Sequence, residues 1–167
     1  MARPKRTPAI TPPDSFDLAI LEIVQKNNLT SQRSIGEQVN LSAPAVQRRI
    51  RRMESEGIIR ANAAVVDPNR VGRALTIVTL VQVENETVQL IDQAKRSFIE
   101  APEVQQCYYV TGATDFVLIF SLVDMQQYEG VTRRLFFANS NVKRFETLVV
   151  MDQVKASLHV PLSECRS

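Results

Sequence analysis

Hydrophobic positions in the first third of the chain recur at helical spacing. After Asp14 or Ser15, either of which can cap a helix, Phe16, Ile20, Ile23 and Val24 return every few residues until Asn27 and Asn28 stop the pattern. Ser31 opens a second short helix with Ile35 and Val39 on its inner face. Asn40-Leu41-Ser42 reads as a tight break: Asn tolerates the left-handed turn, Leu41 can drop into the core, and Ser42 caps the next helix. Pro44 falls in the first turn of that third helix, where its missing N–H costs little, and the helix runs to about Glu56 before Gly57 ends it. Val46, Ile50 and Met53 form one narrow apolar stripe on it. The following IIRANAAVVDP reads as a short hairpin or wing that returns to the helices. The pattern predicts a winged helix-turn-helix over residues 14–66 and a linker over 67–73.

From Arg73 the period changes to two. Residues 74–83 read as a strand rich in Val, Ile, Leu and Thr, and residues 87–99 as a helix with Val88, Ile91, Ala94 and Phe98 on one side. Two strands, 104–111 and 116–123, are joined by the tight segment Thr111-Gly112-Ala113-Thr114-Asp115, a hairpin signal. A helix over 125–138 and a strand over 145–151 complete the order βαββαβ. Right-handed crossovers then predict a ferredoxin-like antiparallel sheet with both helices on one face, spanning residues 74–158 and followed by a tail at 159–167. The fold class is α+β. The strands are apolar on both sides, so the sheet's free face needs a cover, and a second copy of the chain is the economical candidate.

Composition narrows the function classes. The chain has 167 residues, 44% hydrophobic and 23% charged, too apolar for a disordered chain. No apolar run approaches the ~18 residues of a membrane span, since even residues 75–83 are interrupted by Thr76, Thr79 and Gln82. Arg3, Lys5 and Arg6 are followed by no apolar stretch, so residues 1–13, which hold four of the eight prolines, read as a flexible basic arm rather than a signal peptide. Cys107 and Cys165 have no CxxC spacing, and the one histidine, His159, leaves little for metal or acid-base chemistry. These features predict a cytoplasmic non-enzyme without a cofactor or metal.

Charge then separates the two halves. Residues 1–72 carry 11 Lys/Arg against 7 Asp/Glu, whereas residues 73–167 carry 9 against 11. The basic excess belongs to the helical part, where Arg48, Arg49, Arg51 and Arg52 fall within five residues. Such a run on its own is usually a solvated face. On the third helix of a helix-turn-helix it favours double-stranded DNA, because that helix enters the major groove. Ala43, Ala45, Gln47 and Arg48 near its N-terminal half are placed for bases, and Arg51, Arg52 and Arg60 for phosphates. Ser42 can add a phosphate hydrogen bond to its capping role. Arg49 points nearer the apolar flank, toward the neighbourhood of Glu54 or Glu56.

LSAPAVQRRIRRMESEGIIRANAAVVDP, preceded by DLAILEIVQKN, resembles the feast/famine regulators, the Lrp/AsnC family. In the second half, YYVTGATDFVLIFSLVD resembles that family's VxGxxDxxL hairpin and ETLVVMDQVK its last strand. The similarity covers about residues 14–158. Two departures stand out: Ala113 and Thr114 follow the hairpin glycine where many members have an acidic or aromatic residue, and Asn40 replaces a more usual Gly.

The resemblance implies a nucleoid-associated transcription factor that dimerises through its C-terminal domain and assembles further, to tetramers or octamers. A small effector, commonly an amino acid, would bind between neighbouring dimers, and Thr111, Gly112, Ala113, Thr114 and Asp115 would line that pocket. An Asp suits an α-ammonium and turn N–H groups suit an α-carboxylate, although Asp115 could equally serve only the turn backbone. A dimer's recognition helices should meet half-sites ~34 Å apart. The alternatives are an architectural DNA-binding protein without an effector, an amino-acid-binding regulatory subunit, and an RNA-binding module. The last needs exposed aromatics in a K/R-G-F-x-F-like strand, which neither central strand supplies.

Overall fold

The computed structural model describes residues 11–162, so most of the basic arm, with Arg3, Lys5 and Arg6, and also Cys165 lie outside the described residues. The chain divides into two compact units: the described residues up to Ala64 together with those from Ala156, and Val65–Lys155.

Side-chain caps set the helix starts in the first unit. Helix α1 (Ser15–Lys26) begins with a reciprocal box in which Asp14 Oδ1 accepts the Asp17 N–H and Asp17 Oδ2 accepts the Asp14 N–H, each at 2.9 Å. Ser31 caps α2 (Gln32–Val39) by accepting the Ser34 N–H at 3.2 Å, and Ser42 caps α3 (Ala43–Ser55), accepting from Ala45 at 3.4 Å. Helix α2 stops at Asn40, which takes the expected left-handed conformation at φ +56°. Gly36 is needed one turn earlier, because a Cβ there would run into the Leu41 carbonyl oxygen. Ile20, Leu21, Ile35, Val39, Val46 and Met53 form the buried core, with Ile23, Val24 and Ile50 packed at its edge.

Of the two readings of the segment after α3, the structure shows a wing that returns to the helices and not a hairpin. No paired strand forms between Gly57 and Asp67. Instead the Ile58 and Ile59 N–H groups both donate to the Met53 carbonyl, at 2.9 and 3.1 Å, and Asn62 Nδ2 donates to Glu54 Oε1 at 2.9 Å. The wing is thus hung on α3 by its own polar groups. Its three alanines supply too little side chain to support a ladder by cross-strand packing. The described part of the tail packs on α1: Leu162 lies against this unit's core.

The second unit opens with a single 3₁₀ turn, Pro68–Val71, and continues as β1 (Leu75–Val83), α4 (Val88–Glu100), β2 (Val104–Tyr109), β3 (Phe116–Leu122), α5 (Met125–Thr132) and β4 (Val142–Val149). The strands form one antiparallel sheet in the order β2-β3-β1-β4. This is the ferredoxin-like arrangement. Alternate residues Ile77, Thr79, Val81, Phe116, Leu118 and Phe120 are buried under the helices, against Ile91, Phe98, Tyr128 and Phe136. Edge-to-face contacts such as Phe98–Phe116, 5.2 Å between centroids, fix their packing. The intervening residues Val78, Leu80, Val117, Ile119 and Leu148 belong to the sheet's other face, which these helices do not cover.

Two boundaries move for visible reasons. After Thr132, α5 widens into a π-helical turn over Arg133–Phe137, so that consecutive Leu135 and Phe136 are both buried while Phe137 is exposed. Strand β4 starts three residues early because Asn141 pairs with Asn85 in both directions at 3.0 Å, and its carbonyl accepts the Glu84 N–H at 2.8 Å.

Candidate nucleic-acid interface and hairpin site

Helix α3 presents its arginines in two pairs. Arg48 and Arg51 are exposed, and among the described residues neither takes part in an ion pair. Arg49 and Arg52 turn toward the start of α1. Arg49 Nη1 lies 2.8 Å from Asp14 Oδ2 and 2.8 Å from Asp17 Oδ1, with its guanidinium carbon 5.4 Å from the centre of the Phe16 ring. Arg52 Nη2 binds Asp17 Oδ2, and its Nη1 lies 4.0 Å from Glu56 Oε2. Asp17 itself is fully buried. The Asp17 N–H, with help from Arg49, holds the Asp14 carboxyl below its ordinary pKa against the opposing effect of burial. Asp14 and then Asp17 in turn hold Arg49 more firmly protonated than an ordinary arginine.

This arrangement relocates two side chains. Arg49 engages Asp14 and Asp17 rather than Glu54 or Glu56, and Arg52, grouped above with the phosphate ligands, is tied to Asp17 and Glu56. The spacing carried only half of the signal. At ~100° per residue, Arg49 lies nearest the Val46–Ile50–Met53 stripe, but Arg52 falls about as far round from it as Arg51, on the side of Arg48. What the reading lacked was the partner, because Asp17 sits 32 residues before Arg49.

The remaining candidates keep to the outer side of the unit. Ser42 and Arg60 are exposed, and Ala43, Ala45 and Gln47 are half-buried.

The hairpin between β2 and β3 closes with the Val110 N–H donating to the Asp115 carbonyl at 2.8 Å. Thr111, Gly112 and Ala113 are exposed, and Gly112 has φ +132°, a conformation that L side chains rarely adopt. Thr114 and Asp115 are half-buried and tied to β1. Thr114 Oγ1 donates to the Val81 carbonyl at 2.8 Å, and Asp115 Oδ2 accepts the Val83 N–H at 2.8 Å. Among the described residues Asp115 Oδ1 accepts no hydrogen bond. The structure therefore brings the five residues together at one end of the central strands, with one carboxylate oxygen still open.

Residues 76–160 match the family model for the Lrp/AsnC ligand binding domain, and residues 13–60 match that for winged helix-turn-helix DNA-binding. The chain belongs to the Lrp/AsnC family. An uncharacterized HTH-type transcriptional regulator of Sinorhizobium fredii is 44% identical over 149 residues, 89% of this chain and 88% of that protein. A solved AsnC family transcriptional regulator from Agrobacterium tumefaciens superimposes with a TM-score of 0.84 at 26% identity, covering 90% of this chain and 97% of that one. A Neisseria meningitidis transcriptional regulator solved with L-Met gives 0.85 at 25% identity, covering 92% and 99%. This Lrp/AsnC protein is accordingly a DNA-binding transcriptional regulator with a ligand-binding domain, not an enzyme. Among the described residues no helix is long and apolar enough to cross a membrane.

Proposed function

We propose that this regulator reads duplex DNA with the exposed side of α3, that two copies pair through their open sheet faces and assemble further, and that an amino acid bound at the hairpin tunes the complex. The exposed pair Arg48 and Arg51, set against the tied pair Arg49 and Arg52, carries the DNA reading. Gln47 and Arg48, with Ala43 and Ala45, face base edges, while Ser42, Arg51 and Arg60 hold phosphates. Val78, Leu80, Val117, Ile119 and Leu148 supply the apolar centre of the self-interface. The working location is the cytoplasm, at the nucleoid.

For the effector, the open Asp115 Oδ1 suits an α-ammonium, and the exposed backbone at Thr111–Ala113 suits an α-carboxylate. The L-Met held by the Neisseria relative supports this ligand class. A second reading, an architectural DNA-binding protein without an effector, is favoured by one observation: Thr114 and the other Asp115 oxygen already serve β1.

The test is anisotropy of a labelled duplex from just upstream of the protein's own gene, against a scrambled duplex, across salt and with a pooled amino-acid mixture. Saturable, salt-sensitive binding that the pool shifts supports the full reading. Binding indifferent to the pool selects the second reading, and equal binding to the scrambled duplex rejects sequence recognition.

A further inference from the structure

Four arginines on two turns of a recognition helix create a problem as well as a function. Each guanidinium free to reach a phosphate adds affinity for any sequence, because phosphate contacts carry no base information. The two-way split of this cluster is imposed by one buried carboxylate. Asp17 Oδ1 takes Arg49 and Asp17 Oδ2 takes Arg52, so each oxygen holds a different point of α3. Two attachments three residues apart on one helix also resist its rotation about its own axis. The carboxylate is itself held in place, since Asp17 Oδ2 accepts the Asp14 N–H and the Asp17 N–H donates to Asp14 Oδ1. Asp14 Oδ2 then adds a second anchor to Arg49.

We propose that Asp17 is a specificity-determining positioning residue: it withholds Arg49 and Arg52 from the DNA backbone and sets the rotation at which Arg48 and Arg51 meet the duplex. The inference rests on the assignment of α3 to DNA. Asp17 touches no DNA in this account and acts entirely through the two arginines. Their side chains are 23% and 30% exposed, so once released both can swing outward with little rearrangement of the core.

The experiment uses the full chain and compares salt dependence on the specific and scrambled duplexes. Asp17→Asn keeps the side-chain volume and removes the charge. Each released guanidinium that reaches a phosphate steepens the slope of log K against log[salt] by about 0.9, so two steepen the fall in affinity from 50 to 200 mM salt by roughly a further tenfold. The ratio of specific to scrambled binding should shrink at the same time. A purely structural Asp17 would lower the melting temperature and leave both quantities alone in the folded protein; that result overturns the proposal. Should Asp17→Asn fail to fold, Arg49→Gln decides: an unchanged slope supports the proposal, and a slope reduced by about 0.9 shows that Arg49 contacts phosphate and overturns it. Arg48→Gln and Arg51→Gln separate this failure from failure of the DNA assignment. If neither alters binding or slope, α3 is not the DNA face and both fall; if they do while Asp17→Asn does not, only the Asp17 proposal falls.

Discussion

The side-chain amide of Gln25 pairs with the backbone of Val160 in both directions, its Oε1 accepting the Val160 N–H at 2.8 Å and its Nε2 donating to the Val160 carbonyl at 3.2 Å. The two residues are 135 positions apart, and the amide imitates the donor and acceptor of a neighbouring strand. Beside it Glu22 Oε1 accepts the Leu162 N–H at 3.3 Å, and Leu162 packs on the core of the helical unit. Ending the chain at Lys155 should therefore destabilise the helical unit by about 2 kcal/mol, from three partly solvated hydrogen bonds and one half-buried leucine. Gln25→Ala should cost less than half of that. Amide exchange along α1 measures both, and protection unchanged by the truncation would show that the tail contributes nothing.

Acid should loosen the same helix at its other end. The folded-state pKa of Asp14 lies below its ordinary value, so its contribution to stability is fully present above pH ~4 and is lost as the pH falls through the folded pKa. Asp14→Asn keeps a capping acceptor but no titrating group. The melting temperature of this variant should fall less steeply than that of the parent between pH 5 and pH 3, and parallel curves would contradict the assignment.

In the second unit, the Tyr128 hydroxyl lies 2.9 Å from Thr79 Oγ1 and 2.7 Å from Thr147 Oγ1. Thr79 is fully buried, so Tyr128→Phe strands a hydroxyl and should cost about 1–3 kcal/mol. Adding Thr79→Val removes the orphan, and the double variant should be less destabilised than the sum of the single ones. Urea titrations of all three variants test this, since strict additivity would mean that the hydroxyls do not interact.

Gly36 bears on the turn between α2 and α3. Gly36→Ala forces its new Cβ against the Leu41 carbonyl oxygen, a backbone atom that cannot swing aside. A loss of about 1–3 kcal/mol is expected, together with weaker duplex binding because the second and third helices must separate. A variant with wild-type melting and affinity would show that the turn yields at no cost.

Much of the fold was legible because it depends on local rules. Asp14, Ser31 and Ser42 cap helices through bonds to residues three positions on, and Asn40 takes the left-handed turn because its own side chain tolerates it. The alternation from Leu75 to Val83 and from Phe116 to Leu122 marked two-faced strands, and chain connectivity then restricted the sheet order. The candidate site was legible to the extent that it is local too. The clustering of arginines on α3 and the turn around Gly112 can be seen in short stretches of chain.

The remainder depended on partners remote in sequence. A helical wheel places Arg52 nearer Arg48 than Arg49, and only the packing of α1 on α3 brings a buried carboxylate to both Arg49 and Arg52 and converts one expected phosphate ligand, Arg52, into an internal strut. The same holds at the hairpin, where β1 rather than the turn takes up Thr114 and one oxygen of Asp115. Strand β4 begins at Val142 because Asn141 meets Asn85, 56 residues away. Sequence by itself determined which segments are helix, turn and strand and where positive charge accumulates, because those follow from periodicity and capping within a few residues. Tertiary structure decided which charges remain free, because a guanidinium goes to the nearest buried carboxylate, and nearness is a property of the folded chain.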